Sequence, residues 1–174
     1  MNNLKITFNA SECNGWPKLR VLVDNDLYED HLFSSTNESI TIPIEFIDGQ
    51  HLLELEIYGK TAASTKVDGT GNIVQDQLIE LVDMFIDNVK LPEYFKYMGV
   101  YKFNNQTHPQ STIWGCNGIW SWKFFTPIVK WTIDKKNENA EKYNPPVISV
   151  LDRTREKLKR FKIIEELLND FPDR

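Results

Sequence analysis

Asp24, Asp26, Glu29 and Asp30 crowd into a single short stretch of this chain. They are its densest set of hard oxygen donors, the kind a calcium ion gathers about six to eight at a time. Asp24-Asn25-Asp26 is also ordinary turn chemistry, so the run reads first as a solvated hairpin turn. Asp24, Asp26 and Asp30 are its metal-ligand candidates. Asp68-Gly69-Thr70-Gly71-Asn72 lacks the alternating acidic positions and the closing Glu of a calcium loop, and is expected to be a plain turn. His31, His51 and His108 stand singly. There is no Gly-x-Ser-x-Gly, His-Glu-x-x-His, Cys-x-x-Cys or phosphate-cradling glycine loop, each of which brings chemistry-bearing groups together locally. No catalytic residue, cofactor or enzyme activity is therefore expected.

Aromatic residues offer a second kind of chemistry, the stacking of a ligand on an exposed ring. Trp120, Trp122 and Phe124 alternate along one stretch, and Val129, Trp131 and Ile133 along the next. Alternation of this kind is what the inner face of a sandwich looks like. Trp16 and Trp114 have no alternating partners and each stands beside a turn glycine, so these two are the stacking candidates. Trp114 lies within residues 104–118, whose Asn104-Asn105-Gln106-Thr107-His108-Pro109-Gln110 start is polar and turn-rich. A loop longer than the usual 4–6 or so residues is expected there, and such loops often carry function.

The elements that must position these groups are mostly strands. Leu4, Ile6 and Phe8 alternate with polar residues, as do Leu19, Val21 and Val23, with a return strand over 27–32 after the Asp24-Asn25-Asp26 turn. Ile40, Ile42, Ile44 and Phe46 alternate up to Asp48-Gly49, and Leu53, Leu55 and Ile57 alternate beyond it, which predicts a second hairpin. Pro43 lacks an amide donor and assigns its strand to a sheet edge or bulge. Residues 77–91 could form a helical stripe, but the turn cluster before them, the alternation of Val82, Met84 and Ile86, and Pro92 after them favour a strand. Two strands are expected from Gly118 to Ile133, broken at Thr126-Pro127.

The predicted fold is thus mainly β, a jelly-roll-like antiparallel β-sandwich over residues 1–133. A polar, proline-ended linker follows over 134–148, then a C-terminal amphipathic helix within 149–174. The helix carries Leu158, Phe161, Ile164 and Leu168 at helical spacing with Arg153, Lys157 and Arg160 among them. An apolar stripe of this kind needs a cover, so these residues are the expected partner-docking set.

Composition limits the partners. A formal charge of −5 disfavours a phosphate-backbone ligand, although residues 1–98 carry −9 and residues 99–174 carry +4. No apolar run reaches the ~20 residues of a membrane span, and the first residues do not read as a signal segment. Neither nucleic acid nor membrane is expected as a partner, and the chain is expected to be made in the cytoplasm. Cys13 and Cys116 are expected to be reduced thiols.

Lys18-Leu19-Arg20-Val21-Leu22-Val23-Asp24, Gly49-Gln50-His51-Leu52-Leu53-Glu54-Leu55-Glu56-Ile57 and Phe85-Ile86-Asp87-Asn88-Val89-Lys90-Leu91 resemble strands of carbohydrate-binding-module-like β-sandwiches. The likeness implies the fold and carries over no sugar-binding residue. A sandwich with a tethered helix also looks like a small virion structural protein of a tailed phage. That second likeness implies a non-catalytic assembly role in a virion, with other protein subunits as partners. The carbohydrate-binding likeness implies the alternative, an adhesion module with a glycan as partner.

Overall fold

A computed structural model describes residues 3–142. In chain order the strands are β1 (Asn3–Ser11), β2 (Lys18–Val23), β3 (Asp26–Leu32), β4 (Asn37–Pro43), β5 (Gly49–Tyr58), β6 (Thr65–Val67), β7 (Ile73–Asp76), β8 (Leu78–Ile86), β9 (Val89–Lys90), β10 (Val100–Phe103), β11 (Gln106–Pro109), β12 (Ile113–Trp114) and β13 (Gly118–Thr126), and the helix α1 (Ile128–Lys142) follows. One compact unit ends at Ile133. Among the described residues no helix is long and apolar enough to cross a membrane.

Every strand pairing is antiparallel. One sheet of the sandwich runs β12-β8-β1-β4 with β9 added to β8, the other runs β11-β10-β13-β5-β2-β3, and β6 and β7 form a separate two-stranded sheet. Period-2 alternation turns one face of each sheet inward. Leu4, Ile6, Phe8, Ile40, Ile42, Ile79 and Leu81 come from the first sheet, and Leu19, Val21, Leu53, Leu55, Trp120, Trp122 and Phe124 from the second. They meet in one buried cluster. The fold is an antiparallel β-sandwich. Residues 77–91 include strand β8, as their alternation predicts, and Pro43 ends the edge strand β4.

Three expectations about the elements are corrected. Residues 104–118 are not one long loop, because they contain β11, which pairs with β10, and β12, which pairs with β8. β4 and β5 are not a hairpin, because β4 pairs with β1 while β5 lies between β2 and β13. Buried Ile44 and Phe46 sit in the connection that carries the chain from one sheet to the other. Alternation marks a strand with one buried face and is silent on which sheet it joins. Residues 128–133 are helical rather than a strand, and the helix continues to Lys142 through residues expected to be a linker. Pro127 precedes the first helical residue, where a missing amide costs nothing, and the Trp131 amide donates to its carbonyl at 3.2 Å. Ile128 and Trp131, three apart, are buried, whereas Val129 and Ile133 are exposed, which is helical periodicity. Residues 134–142 are rich in Lys, Glu and Asn, with one Ala, and the Lys and Glu favour a helix.

Candidate functional site

An open cleft of about 700 Å3 lies at one end of the six-stranded sheet, where the β5 end and the β13 start meet the β10–β11 hairpin. The tip of that hairpin is Asn104-Asn105, between paired Phe103 and Gln106. Both asparagines have left-handed backbone, φ 48° and 60°. A two-residue hairpin of this twist requires it, and Asn tolerates it better than other side chains. Below the tip, Phe103 stacks on His108 with ring centroids 4.5 Å apart. Gly118 lets β13 come this close, because a Cβ there would lie 2.4 Å from the Lys102 carbonyl oxygen.

Asn117 closes the floor. Its Oδ1 accepts from the Lys60 amide at 2.9 Å and its Nδ2 donates to the Lys60 carbonyl at 2.8 Å, so one side chain takes the place of a strand partner. A second cleft, about 530 Å3, shares Asn104 and Asn117 with the first. There the Lys60 ammonium, 11% exposed, donates to Asp76 at 2.5 Å and to the carbonyls of Gln77 and Gly115. A buried ion pair needs this full set of partners to offset its desolvation. Lys60 thereby ties three segments into a fixed wall.

The first cleft is polar on one side and carries an aromatic network on the other. Side chains of Asn104, Asn105, Gln106 and Thr107 line it, all exposed and, among the described residues, without a side-chain hydrogen bond of their own. Glu56 and Tyr58 project from β5. The Arg20 guanidinium lies 4.1 Å from the centre of the Tyr58 ring and is 3.2 Å from Glu56 and 3.3 Å from Asp30. The Tyr58 hydroxyl donates to Asp30. That bond, with Arg20, holds the Asp30 carboxyl below its ordinary range, and the same bond, with burial, raises the Tyr58 phenol against the opposing effect of Arg20.

The acidic run therefore does not converge. Asp30 serves Tyr58 and Arg20, Asp24 turns to His51 and to the Leu52 amide at 2.8 Å, and Asp26 is exposed. Among the described residues no group of three or more His, Cys, Asp or Glu side chains is placed to hold a metal ion. Asp68 accepts from the Thr70 and Asn72 amides, as a turn residue does.

Trp114 is corrected as a stacking residue: it is 1% exposed and packs against Tyr101 and Trp120. A short strand, β12, pairs it with Ile79 and turns it inward. Trp16 is half-buried against the core and lines neither cleft. The docking set Leu158, Phe161, Ile164, Leu168, Arg153, Lys157 and Arg160 lies outside the described residues.

Reading by sequence marks residues 104–110 and misses Glu56, Tyr58, Lys102 and Asn117. The Asn117-Gly118 pair is legible only as a turn, and Glu56 and Tyr58 only as the polar side of an alternating strand.

No family model matches the chain, and no curated protein matches it. Among solved structures it is similar to vCBM60, described with two families of calcium-dependent carbohydrate-binding modules linked by circular permutation. The selenomethionine form is 12% identical over 70% of this chain and 90% of that one, with a TM-score of 0.48. The complex of vCBM60 with galactobiose is 13% identical over 69% and 96%, with a TM-score of 0.47.

Proposed function

We propose that this chain is a non-catalytic glycan-binding module whose ligand lies in the cleft beneath the Asn104-Asn105 hairpin tip. The observation that carries this reading is the row of uncommitted amides and hydroxyl on Asn104, Asn105, Gln106 and Thr107, held at the mouth of a cleft of about 700 Å3. A primary amide both donates and accepts, and a sugar hydroxyl does the same, so such a row matches a carbohydrate edge. The cleft has the size of a small-ligand site. Its walls are preformed, because Asn117 and Lys60 lock the loops behind it.

Catalysis has no comparable support. Glu56 is the only carboxylate among the described residues lining the cleft, and Arg20 holds it, whereas glycoside hydrolysis ordinarily takes a pair of carboxyl groups. His51 and His31 are engaged by Asp24 and Glu38. The virion assembly role expected from the sequence turns on residues 149–174, which lie outside the described residues.

The test is affinity electrophoresis and titration calorimetry of the full chain against a panel of soluble polysaccharides. Asn104→Gly together with Asn105→Gly keeps the left-handed turn and removes both amides. The wild-type chain is expected to bind at least one glycan and the double variant to bind it about tenfold more weakly, the loss of one or two hydrogen bonds. Equal binding by the two proteins assigns the glycan to another surface and overturns the proposed site.

A further inference from the structure

The cleft does not share the net negative charge of the whole chain. The protein carries −5, yet the one carboxylate among the described residues lining the cleft, Glu56, is already neutralised by Arg20 at 3.2 Å. Arg20 also holds Asp30, and Lys18 approaches the same Tyr58 ring, 5.8 Å from its centre. That group of side chains has two cations and two carboxylates and leaves no negative charge over. Lys102 stands on the same face, because Lys102 pairs with Ile119 and Ile119 with Glu56 across the sheet. It is exposed and enters none of the ion pairs among the described residues. Beside it are the amides of Asn104 and Asn105, which can donate to an anion.

Resting on the glycan-binding reading above, we infer that the ligand is an acidic sugar, whose anionic group is received by Lys102 and the hairpin-tip amides. The anionic group is the carboxylate of a uronic acid or the sulfate ester of a sulfated sugar. A neutral sugar leaves the Lys102 charge without a partner. An acidic one gains a charge-assisted hydrogen bond, stronger than its neutral counterpart. The interaction lies at the surface, so salt screens it. A lysine supplies a point charge that accepts either anion geometry.

The experiment is calorimetry of the full chain with oligogalacturonate and with its methyl ester, and with a sulfated galactan oligomer free of uronic acid and its desulfated form. Each pair differs in the anionic group, and low and high salt are compared. The charged form of at least one pair is expected to bind about tenfold more tightly at low salt. The preference should shrink in high salt, disappear in Lys102→Met and persist in Lys102→Arg, with the melting temperature of both variants unchanged. The pair that shows the larger preference identifies the anion as carboxylate or sulfate. Equal binding of charged and uncharged forms, or a preference that survives Lys102→Met, overturns the acidic-sugar inference and leaves the glycan reading standing. Failure to bind any sugar, acidic or neutral, in these assays or across the polysaccharide panel overturns the glycan reading itself.

Discussion

Nδ1 of His51 lies 2.7 Å from Oδ2 of Asp24, and this pair fastens the β2–β3 turn to strand β5. Asp24 has left-handed backbone, φ 52°, and its other oxygen accepts from the Leu52 amide. The far side of the imidazole faces the Ile47 carbonyl at 2.8 Å and the Thr126 hydroxyl at 3.2 Å. One buried ring thus joins the turn, the sheet-to-sheet connection and the end of β13. Burial raises the Asp24 carboxyl, but the His51 and Leu52 bonds outweigh it and hold the group below its ordinary value.

Replacing Asp24 should loosen all three segments. Asp24→Ala removes two hydrogen bonds to a charged acceptor and leaves a buried ring nitrogen unmatched, at a cost of about 2 kcal/mol. Asp24→Asn retains an acceptor and tolerates the left-handed backbone, so it costs less. Urea unfolding at neutral pH measures both, with an unchanged slope showing that the folded state is the same.

Acid should release a second carboxylate. Burial pushes Glu38 up, but the Ser34 amide, the His31 ring and the Ser35 amide more than compensate and bring it from 4.5 to about 2. A group with a depressed folded value contributes stability that is complete above its ordinary value and is lost as pH falls through the folded one. The wild-type chain should therefore lose stability between about 4.5 and about 2. Glu38→Gln should show a flatter profile across that window, read by thermal unfolding at stepped pH.

Gly118→Ala should damage the cleft through the backbone. The added carbon would meet the Lys102 carbonyl at 2.4 Å and the Phe103 Cβ at 2.9 Å, and β10 and β13 would have to separate. Overpacking of this sort costs about 1–3 kcal/mol. The melting temperature should fall by several degrees, and amide exchange should accelerate in residues 100–103 before it does in β1 or β8.

Trp131 should be the anchor of the helix start. Its ring lies 4.9 Å from Phe95 and 5.6 Å from Trp122, centroid to centroid, and is 8% exposed. Trp131→Ala should cost about 3 kcal/mol. Val129→Ala, on the exposed side of the same turn, should change stability by less than about 0.5 kcal/mol. Comparing the two by chemical denaturation separates a helix packed on the core from an extended strand, in which both residues would face the same way.

The sequence by itself determined strands β1 to β5, β8 and β13, the polar stretch at 104–110 and the core character of Trp122 and Phe124. Alternation and turn residues are local signals, readable wherever one face of a strand is buried. Only the tertiary structure decided that β4 and β5 belong to different sheets, since pairing is a choice among distant strands that all show the same alternation. It likewise decided that Trp131 reaches the core from a helix, because Ile128 and Trp131 fit a helical face as well as Trp131 and Ile133 fit a strand. Trp114 reads as a loop residue until β12 docks on β8 and buries it. The cleft was legible only in part. Its asparagine tip is visible in the sequence, but Glu56, Tyr58, Lys102 and Asn117 come from three separate regions of the chain. They share a surface because antiparallel register sets Lys102 beside Ile119 and Ile119 beside Glu56, a relation that no short window of residues contains.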